Sequence, residues 1–257
     1  MTWHAIRLDL EAELGEPVTI DALTGGWQIA QRVAGHRHSA DDVLTAHAAL
    51  CEVPHAPLAL DLGTGIGGVG LLVLWGLGEA ARLVAIEAQT ISHRLLLANI
   101  AGNDLGARVE PHLGDLRDFQ DARRFPLVTG SPPYFPLGTG IVPADSQKAH
   151  ARFEMRGDVR DYALAAARHL TDDGVFVFCF PTPQKQRALD AVAAAGLVTT
   201  RIRDVIPRAT LRPLFTLFSA RREGTPVRAE DPLFTVREQN GALTAAMRDV
   251  RRSFGFQ

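Results

Sequence analysis

The stretch Leu58-Ala59-Leu60-Asp61-Leu62-Gly63-Thr64-Gly65-Ile66-Gly67-Gly68 decides the fold. Its first five residues are an apolar run broken by one carboxylate, the pattern of a strand buried in a parallel sheet. The glycines that follow permit a tight turn and let the backbone approach a ligand at the start of a helix. Gly63, Gly65 and Gly68 fit G-x-G-x-x-G literally. By itself that spacing is equally the fingerprint of a dinucleotide-binding fold. Asp61 separates the readings. A carboxylate inside the strand end suits a cationic group, such as the amino group of a methionine moiety, and opposes a pyrophosphate.

Outward from this loop, strands and helices alternate. The loop leads into a helix to about residue 78. Residues 83–86 form a second strand ending at Glu87, 24 residues after Gly63. An acid there can accept hydrogen bonds from both hydroxyls of a ribose. Residues 91–100 are helical, and 109–113 form a third strand. Just beyond it, Asp115 can take an adenine amine with Leu116 beside the ring, or can cap a helix. Residues 125–130 form a fourth strand, 158–169 a helix, and 175–180 a nearly all-apolar fifth strand central in the sheet. Residues 183–195 read as a helix opened by proline. Two last strands follow at 198–205 and 214–220. This order implies parallel strands with helices on both faces.

Before the first strand, residues 4–15 read as a short helix. Residues 18–20 and 27–31, flanking Gly25-Gly26, read as a hairpin. Ser39 reads as the N-cap of a helix over 40–51, with Asp41 and Asp42 in its first turn. After the last strand, the tail carries a ribbon around 234–236 and a basic helix over 242–253. The expected organisation is an N-terminal extension over 1–52, a catalytic-type domain over 53–222, and a C-terminal extension over 223–257 packed on the same domain. Residues 135–157 are the longest stretch without a strong pattern, and a loop that long beside a site reads as a substrate lid.

The fourth strand ends in Ser131-Pro132-Pro133-Tyr134. Two prolines fix φ and end the strand. They hold the loop at the carboxyl edge of the sheet, where the crevice of an open α/β fold lies. The Ser131 hydroxyl and the Pro132 carbonyl are two acceptors that can bind both hydrogens of a planar NH2 group and aim its lone pair. Tyr134 can stack on an aromatic ring.

The chain has 257 residues and a net charge of −2. That charge hides an asymmetry: residues 1–144 carry 9 basic and 16 acidic side chains, and residues 145–257 carry 18 and 13. Arginine outnumbers lysine 25 to 2. A GC-rich genome produces such a ratio, and Arg forks also suit phosphate. Arg152, Arg156, Arg208, Arg212, Arg221 and the tail from Arg248 to Arg252 are the candidate phosphate contacts. Two cysteines, Cys51 and Cys179, make no disulfide framework and read as small buried hydrophobes in a reducing cytosol. No apolar run reaches membrane-spanning length, and no spacing of His or Cys points to a metal. There is no nucleophile elbow of the Gly-x-Ser-x-Gly kind.

Asp-x-Gly-x-Gly followed by a strand-end acid resembles the class I S-adenosylmethionine-dependent methyltransferases. Ser131 to Tyr134 resembles the (Asn/Asp/Ser)-Pro-Pro-(Tyr/Phe) motif of amino-methyltransferases that act on exocyclic amines of adenine or cytosine or on glutamine amides. Asn is usual in the RNA-adenine and glutamine enzymes; Ser131 departs from that. Gly35-His36-Arg37-His38-Ser39-Ala40-Asp41-Asp42-Val43-Leu44, and Ser131 to Gly138 with Ala149-His150-Ala151-Arg152-Phe153-Glu154, are similar to the bacterial tRNA(Val) adenine-N6-methyltransferase family. The resemblance spans roughly residues 18–220.

It implies S-adenosylmethionine as cofactor, with contacts from Arg37, Asp61, Gly63, Thr64, Gly65, Gly67, Glu87, Asp115, Leu116 and Ser131. It implies Ser131, Pro132 and Tyr134 as the catalytic group, RNA and specifically tRNA as partner, and a cytoplasmic location without a membrane. The alternatives are a protein glutamine or a small-molecule amine as acceptor, a nicotinamide-dependent oxidoreductase, or a non-catalytic adaptor on the same fold. The expected fold is α/β: a Rossmann-like, doubly wound, seven-stranded and mostly parallel sheet with an antiparallel last strand and helices on both faces.

Overall fold

The computed structural model describes residues 2–222 and 231–257. Helix α1 (Trp3–Leu14), the hairpin β1 (Val18–Ala22) and β2 (Gln28–Arg32), and helix α2 (Ala40–Glu52) precede the alternating core. Then come β3 (Leu58–Leu62), α3 (Gly68–Leu77), β4 (Arg82–Glu87), α4 (Thr90–Gly102), β5 (Val109–Leu113) and β6 (Phe125–Gly130). Next are α5 (Ser146–Arg152), α6 (Val159–His169), β7 (Leu170–Pro181), α7 (Lys185–Ala194), β8 (Val198–Ile206), β9 (Phe215–Arg221), β10 (Phe234–Thr235) and α8 (Ala245–Ser253).

The main sheet runs β10-β8-β9-β7-β6-β3-β4-β5. β3 lies between β4 and β6, parallel to both, with Leu62 opposite Ile86 and Gly130. The carboxyl ends of these strands therefore share one edge. β9 is antiparallel to both of its neighbours, β7 and β8. The expected seven strands and the reversed last one are present. An eighth edge strand is added, because Phe234 and Thr235 pair in parallel with Val205 and Ile206 of β8. The segment expected as a ribbon thus joins the main sheet.

Two apolar layers cover the sheet. One joins α1 to α4, the hairpin and α8 to one face; the other packs α6 and α7 on the opposite face. α3 reads apolar all round because it is buried from Gly68 to Leu74 between the sheet and α2. On the other face, Phe176, Phe178 and Phe218 stack with ring centroids 4.6 and 4.9 Å apart. Such stacking adds about 0.5–1.5 kcal/mol per pair beyond area burial.

Three expectations change. Residues 135–157 contain a helix, α5, whose N-cap Asp145 accepts from the Lys148 amide. Its seven residues are too few for a strong periodic pattern. β7 is twice the expected length and starts directly after α6, since Leu170 is already buried in register with Phe125. Cys51 is exposed, unlike Cys179, because it faces an open cleft between α2 and β8–β10. The C-terminal extension holds β10 and α8, and its residues 223–230 lie outside the described ones. Among the described residues, no helix is long and apolar enough to cross a membrane.

Candidate active site

A cleft of about 980 Å3, its open mouth included, lies at the carboxyl edge of β3, β4 and β6. It brings together Asp61, Gly63, Thr64, Gly65, Glu87, Asp115, Leu116 and Ser131. The glycine loop is fixed in place: the Thr64 amide donates to the Ile86 carbonyl at 2.9 Å, and the Gly67 amide donates back to Thr64 at 2.9 Å. Gly67 does not line the cleft; it is the left-handed N-cap of α3.

Asp61 is buried. Its Oδ1 accepts the Thr129 hydroxyl at 2.7 Å. Its Oδ2 and the Thr64 hydroxyl are buried; Oδ2 faces that hydroxyl and the Gly70 amide, which favour its ionised form, but neither makes a well-aligned hydrogen bond to it. Burial pushes the carboxyl up to about 6, against the hydrogen-bonding groups around it. A buried carboxylate oxygen left unpaired costs free energy unless a cation meets it. This donor set fits the amino group expected from the sequence.

Glu87 is also buried, at the end of β4. Its Oε2 accepts the Gly65 amide at 2.9 Å and its Oε1 the Gln89 amide at 2.7 Å. Burial raises its pKa, and these amides and Arg156 work the other way. Each carboxylate oxygen keeps a further lone pair. Asp115 is held differently. Arg117 grips it with Nε at 2.9 Å and Nη2 at 2.6 Å, and this pairing lowers its pKa. Its side chain is therefore shared with an arginine that the sequence reading did not assign.

Arg37 does not enter the cleft. Its guanidinium donates to Thr19 Oγ1 at 3.0 Å and pairs with Asp21 at 2.9 Å, bracing the hairpin. Its neighbours His36 and His38 line the cleft instead, with Asp42. His38 Nδ1 lies 3.2 Å from Asp42 Oδ2, which also accepts the Ser39 amide. Burial opposes ionisation of Asp42, but these contacts prevail and lower its pKa. Asp42 sits against Gly68 at the start of α3, which places α2 over the glycine loop.

The lid segment is tied down by one buried glutamine. Gln147 Oε1 accepts from Arg32 at 3.0 Å and from the His36 amide at 3.2 Å, and its Nε2 donates to Ser92 at 3.0 Å. Arg32 continues to Glu16 and Asp145. Asn99, fully buried on α4, joins the hairpin to the glycine loop through Ala30 and Ile66. Neither residue was marked by a motif. Only their polarity at positions that fold inward could have flagged them.

On the acceptor side, Ser131 and Pro133 line the cleft; Pro132 and Tyr134 do not. The Pro132 carbonyl takes no hydrogen bond from the described chain. The Tyr134 ring is partly buried, edge-on to Phe180 at 6.2 Å, and its hydroxyl points inward to Asp41 at 3.2 Å. Its carbonyl is held by Gln184 Nε2 at 2.6 Å, and Arg187 links this corner to Glu154 of the lid at 2.7 Å. The site also includes Tyr162, which the sequence reading passed over as an ordinary helix residue. Buried in the first turns of α6, it lines the cleft and packs against Gly63 and Gly130.

No family model matches the chain. Its sequence aligns at 24% identity with the tRNA1(Val) (adenine(37)-N6)-methyltransferase of Actinobacillus pleuropneumoniae, over 89% of this chain and 96% of that protein. The chain resembles the tRNA1(Val) adenine-N6-methyltransferases. The enzyme of that name from Klebsiella pneumoniae is 27% identical over 66% of this chain and 68% of its own. Among solved structures, a predicted O-methyltransferase from Agrobacterium tumefaciens superposes with a TM-score of 0.63 at 18% identity, covering 83% of this chain and 96% of that one. The fold is that of the Rossmann-like methyltransferases.

Proposed function

We propose that the protein is an S-adenosylmethionine-dependent N-methyltransferase that methylates an exocyclic amine of a base in structured RNA, with adenine N6 in a tRNA as the leading acceptor. One observation carries this reading. A single cleft joins a glycine loop with the buried Asp61 carboxyl to the Ser131 hydroxyl. Bound there, the cofactor supplies a methyl group on a cationic sulfur. Asp61 holds its amino group and Glu87 its ribose hydroxyls. Ser131 on the cleft wall and the Pro132 carbonyl behind it, unpaired among the described residues, would accept hydrogen bonds from the two N–H groups of the acceptor and leave its lone pair facing the cleft. The proton released on methylation passes to solvent. Direct displacement needs no nucleophilic side chain, so positioning and exclusion of water supply the rate. A base reaches such a cleft by flipping out of its stack. The similarity to tRNA-modifying enzymes supports RNA as the substrate, and this reading places the protein in the cytosol with it.

The structure sorts the arginines named as phosphate contacts. Arg221 pairs with Glu52, Arg252 with Asp249, and Arg251 stacks on Phe256. Arg156 donates to the Ala88 carbonyl and Arg248 to that of Leu243. Arg152, Arg208 and Arg212 are exposed and have no side-chain partner among the described residues. The Arg208–Arg212 loop stands at the same sheet edge as Ser131, since the Leu214 carbonyl accepts the Thr182 amide just after β7. Leu211 in that loop, Leu214 just after it, and Phe135 and Leu137 after the acceptor motif are exposed apolar side chains.

The test is nucleoside mass spectrometry of tRNA after incubation with the protein and methyl-labelled cofactor. N6-methyladenosine in the RNA is the expected result. Label in protein or in a metabolite, with none in RNA, overturns the acceptor. The double change Arg208→Gln/Arg212→Gln is expected to raise the KM for RNA about tenfold and to lower the slope of log affinity against log salt by about 2. Cofactor binding, followed by calorimetry, should stay as in the parent protein.

A further inference from the structure

A part-buried line of polar atoms runs from the acceptor loop to the first turn of α2. Ser131 Oγ lies 3.5 Å from Cys179 Sγ. Cys179 Sγ lies 3.4 Å from Tyr134 Oη. Tyr134 Oη donates to Asp41 Oδ2 at 3.2 Å, and the Ser39 hydroxyl bonds the other Asp41 oxygen. Cys179 is fully buried near the carboxyl end of β7, while Ser131, Tyr134 and Asp41 are half-buried, so water is kept from the sulfur at the centre of the line.

The line has a direction. The Asp41 carboxylate accepts, which commits the tyrosine proton to it. Tyr134 Oη and the Thr45 hydroxyl then both offer the thiol lone pairs, and an S–H given to either of them leaves only sulfur lone pairs toward Ser131. The serine hydrogen therefore points at sulfur. What Ser131 shows to the cleft is an oxygen with no hydrogen of its own.

This answers a difficulty raised by the sequence. An asparagine carbonyl at the first motif position is an acceptor whatever surrounds it. A serine hydroxyl is donor and acceptor at once, and its rotor follows its neighbours. We propose that Asp41, Tyr134 and Cys179 are positioning residues that hold the Ser131 hydroxyl as a pure acceptor, so that this site selects an amino group over a carbonyl oxygen on the incoming base. The inference rests on the reading that Ser131 meets an exocyclic amine. A keto oxygen placed there would face a lone pair and lose its hydrogen bond.

The experiment is a cycle on Cys179 and Ser131, read as kcat on RNA alongside cofactor affinity and Tm. Cys179→Val removes the acceptor at the cost of a slightly larger, branched side chain, and Tm reports whether the site still packs. It is expected to lower kcat about tenfold, one hydrogen bond's worth, with cofactor affinity unchanged. Cys179→Ser restores an acceptor and should stay within about threefold of the parent. In a Ser131→Asn background, where the amide carbonyl needs no orientation, Cys179→Val should cost no more than about twofold further.

If Cys179→Val does not fold, Tyr134→Phe interrupts the same line and should lose kcat in the parent but not in the Ser131→Asn background. Equal losses in both backgrounds, parental kcat in Cys179→Val, or a Cys179→Ser variant as impaired as Cys179→Val overturns the inference while leaving the proposed function intact. Absence of methyl transfer by the parent protein on any RNA overturns the proposed function, and this inference with it.

Discussion

Replacing Asp61 by Asn is expected to weaken S-adenosylmethionine binding about 100-fold or more and at the same time to stabilise the ligand-free protein. Both effects follow from one buried carboxylate. Removing one member of a buried charge pair leaves the other unmatched, which costs about 2–5 kcal/mol in binding, and about 3 kcal/mol is a factor of 100. Without the cofactor the balance reverses. Asp61 titrates at about 6 when folded, against 3.8 for its ordinary value. Well below pH 3.8 the carboxyl is neutral in both states and costs nothing, and at pH 4 the cost is still small. As pH rises from about 4 to 6, the unfolded chain loses its proton first, and folding must then either keep the proton or bury the charge.

Above pH 6 the penalty is complete, on the order of 3 kcal/mol. Asn at this position still meets the Thr129 hydroxyl and carries no charge. Ligand-free Asp61→Asn should therefore melt roughly 5–10 °C higher than the parent at pH 8 and nearly equally at pH 4. Calorimetric titration with cofactor and thermal melts at the two pH values check both halves. Unchanged cofactor affinity would remove Asp61 from the proposed cofactor site, and a lower Tm at pH 8 would show that its charge is not a burden to the fold.

The sequence shows most clearly those parts of the molecule that repeat a local rule. β3 and the glycine loop were legible because a buried strand must be apolar and the turn after it needs glycine. The alternation that follows fixes a parallel sheet. The helix read over 158–169 was legible to within one residue; Asp158 is its N-cap rather than its first helical residue, and its side chain answers two free amides. Residues whose partners are distant in the chain were not readable. Gln147 meets Arg32 and His36 across more than 110 positions, and nothing in its own neighbours marks it. Arg37 sat in a motif that pointed to the cofactor, yet Asp21 and Thr19 of the hairpin compete for its guanidinium and hold it outside the cleft. Tyr134 was legible as part of a clamp, but the inward path of its hydroxyl depends on Asp41 and Cys179, which lie on two other elements.

Gly63→Ala is the second change with a large expected effect, and it separates the loop's conformation from its contacts. Gly63 has φ +62°, which costs an L-residue about 1–2 kcal/mol. An alanine methyl there would lie 2.0 Å from Tyr162 Oη and 2.9 Å from its Cζ. Tyr162 has little room to retreat. It is buried, and its helix is pinned by the Asp158–Asp161 capping box. Overpacking of this kind adds about 1–3 kcal/mol. The loop must shift, and Thr64 and Gly65 shift with it, away from Ile86 and Glu87.

The expected result is a ligand-free Tm lower by several degrees and the loss of at least about 100-fold in cofactor affinity, since the displaced amides and Asp61 no longer converge. The double variant Gly63→Ala/Tyr162→Phe removes the closest contact but neither the backbone strain nor the contact at 2.9 Å. It should regain part of the Tm and little of the affinity. Full recovery of both would show that steric contact with Tyr162, rather than the left-handed turn, is what glycine serves at this position. Parental affinity in Gly63→Ala itself would mean that the cofactor does not use this loop.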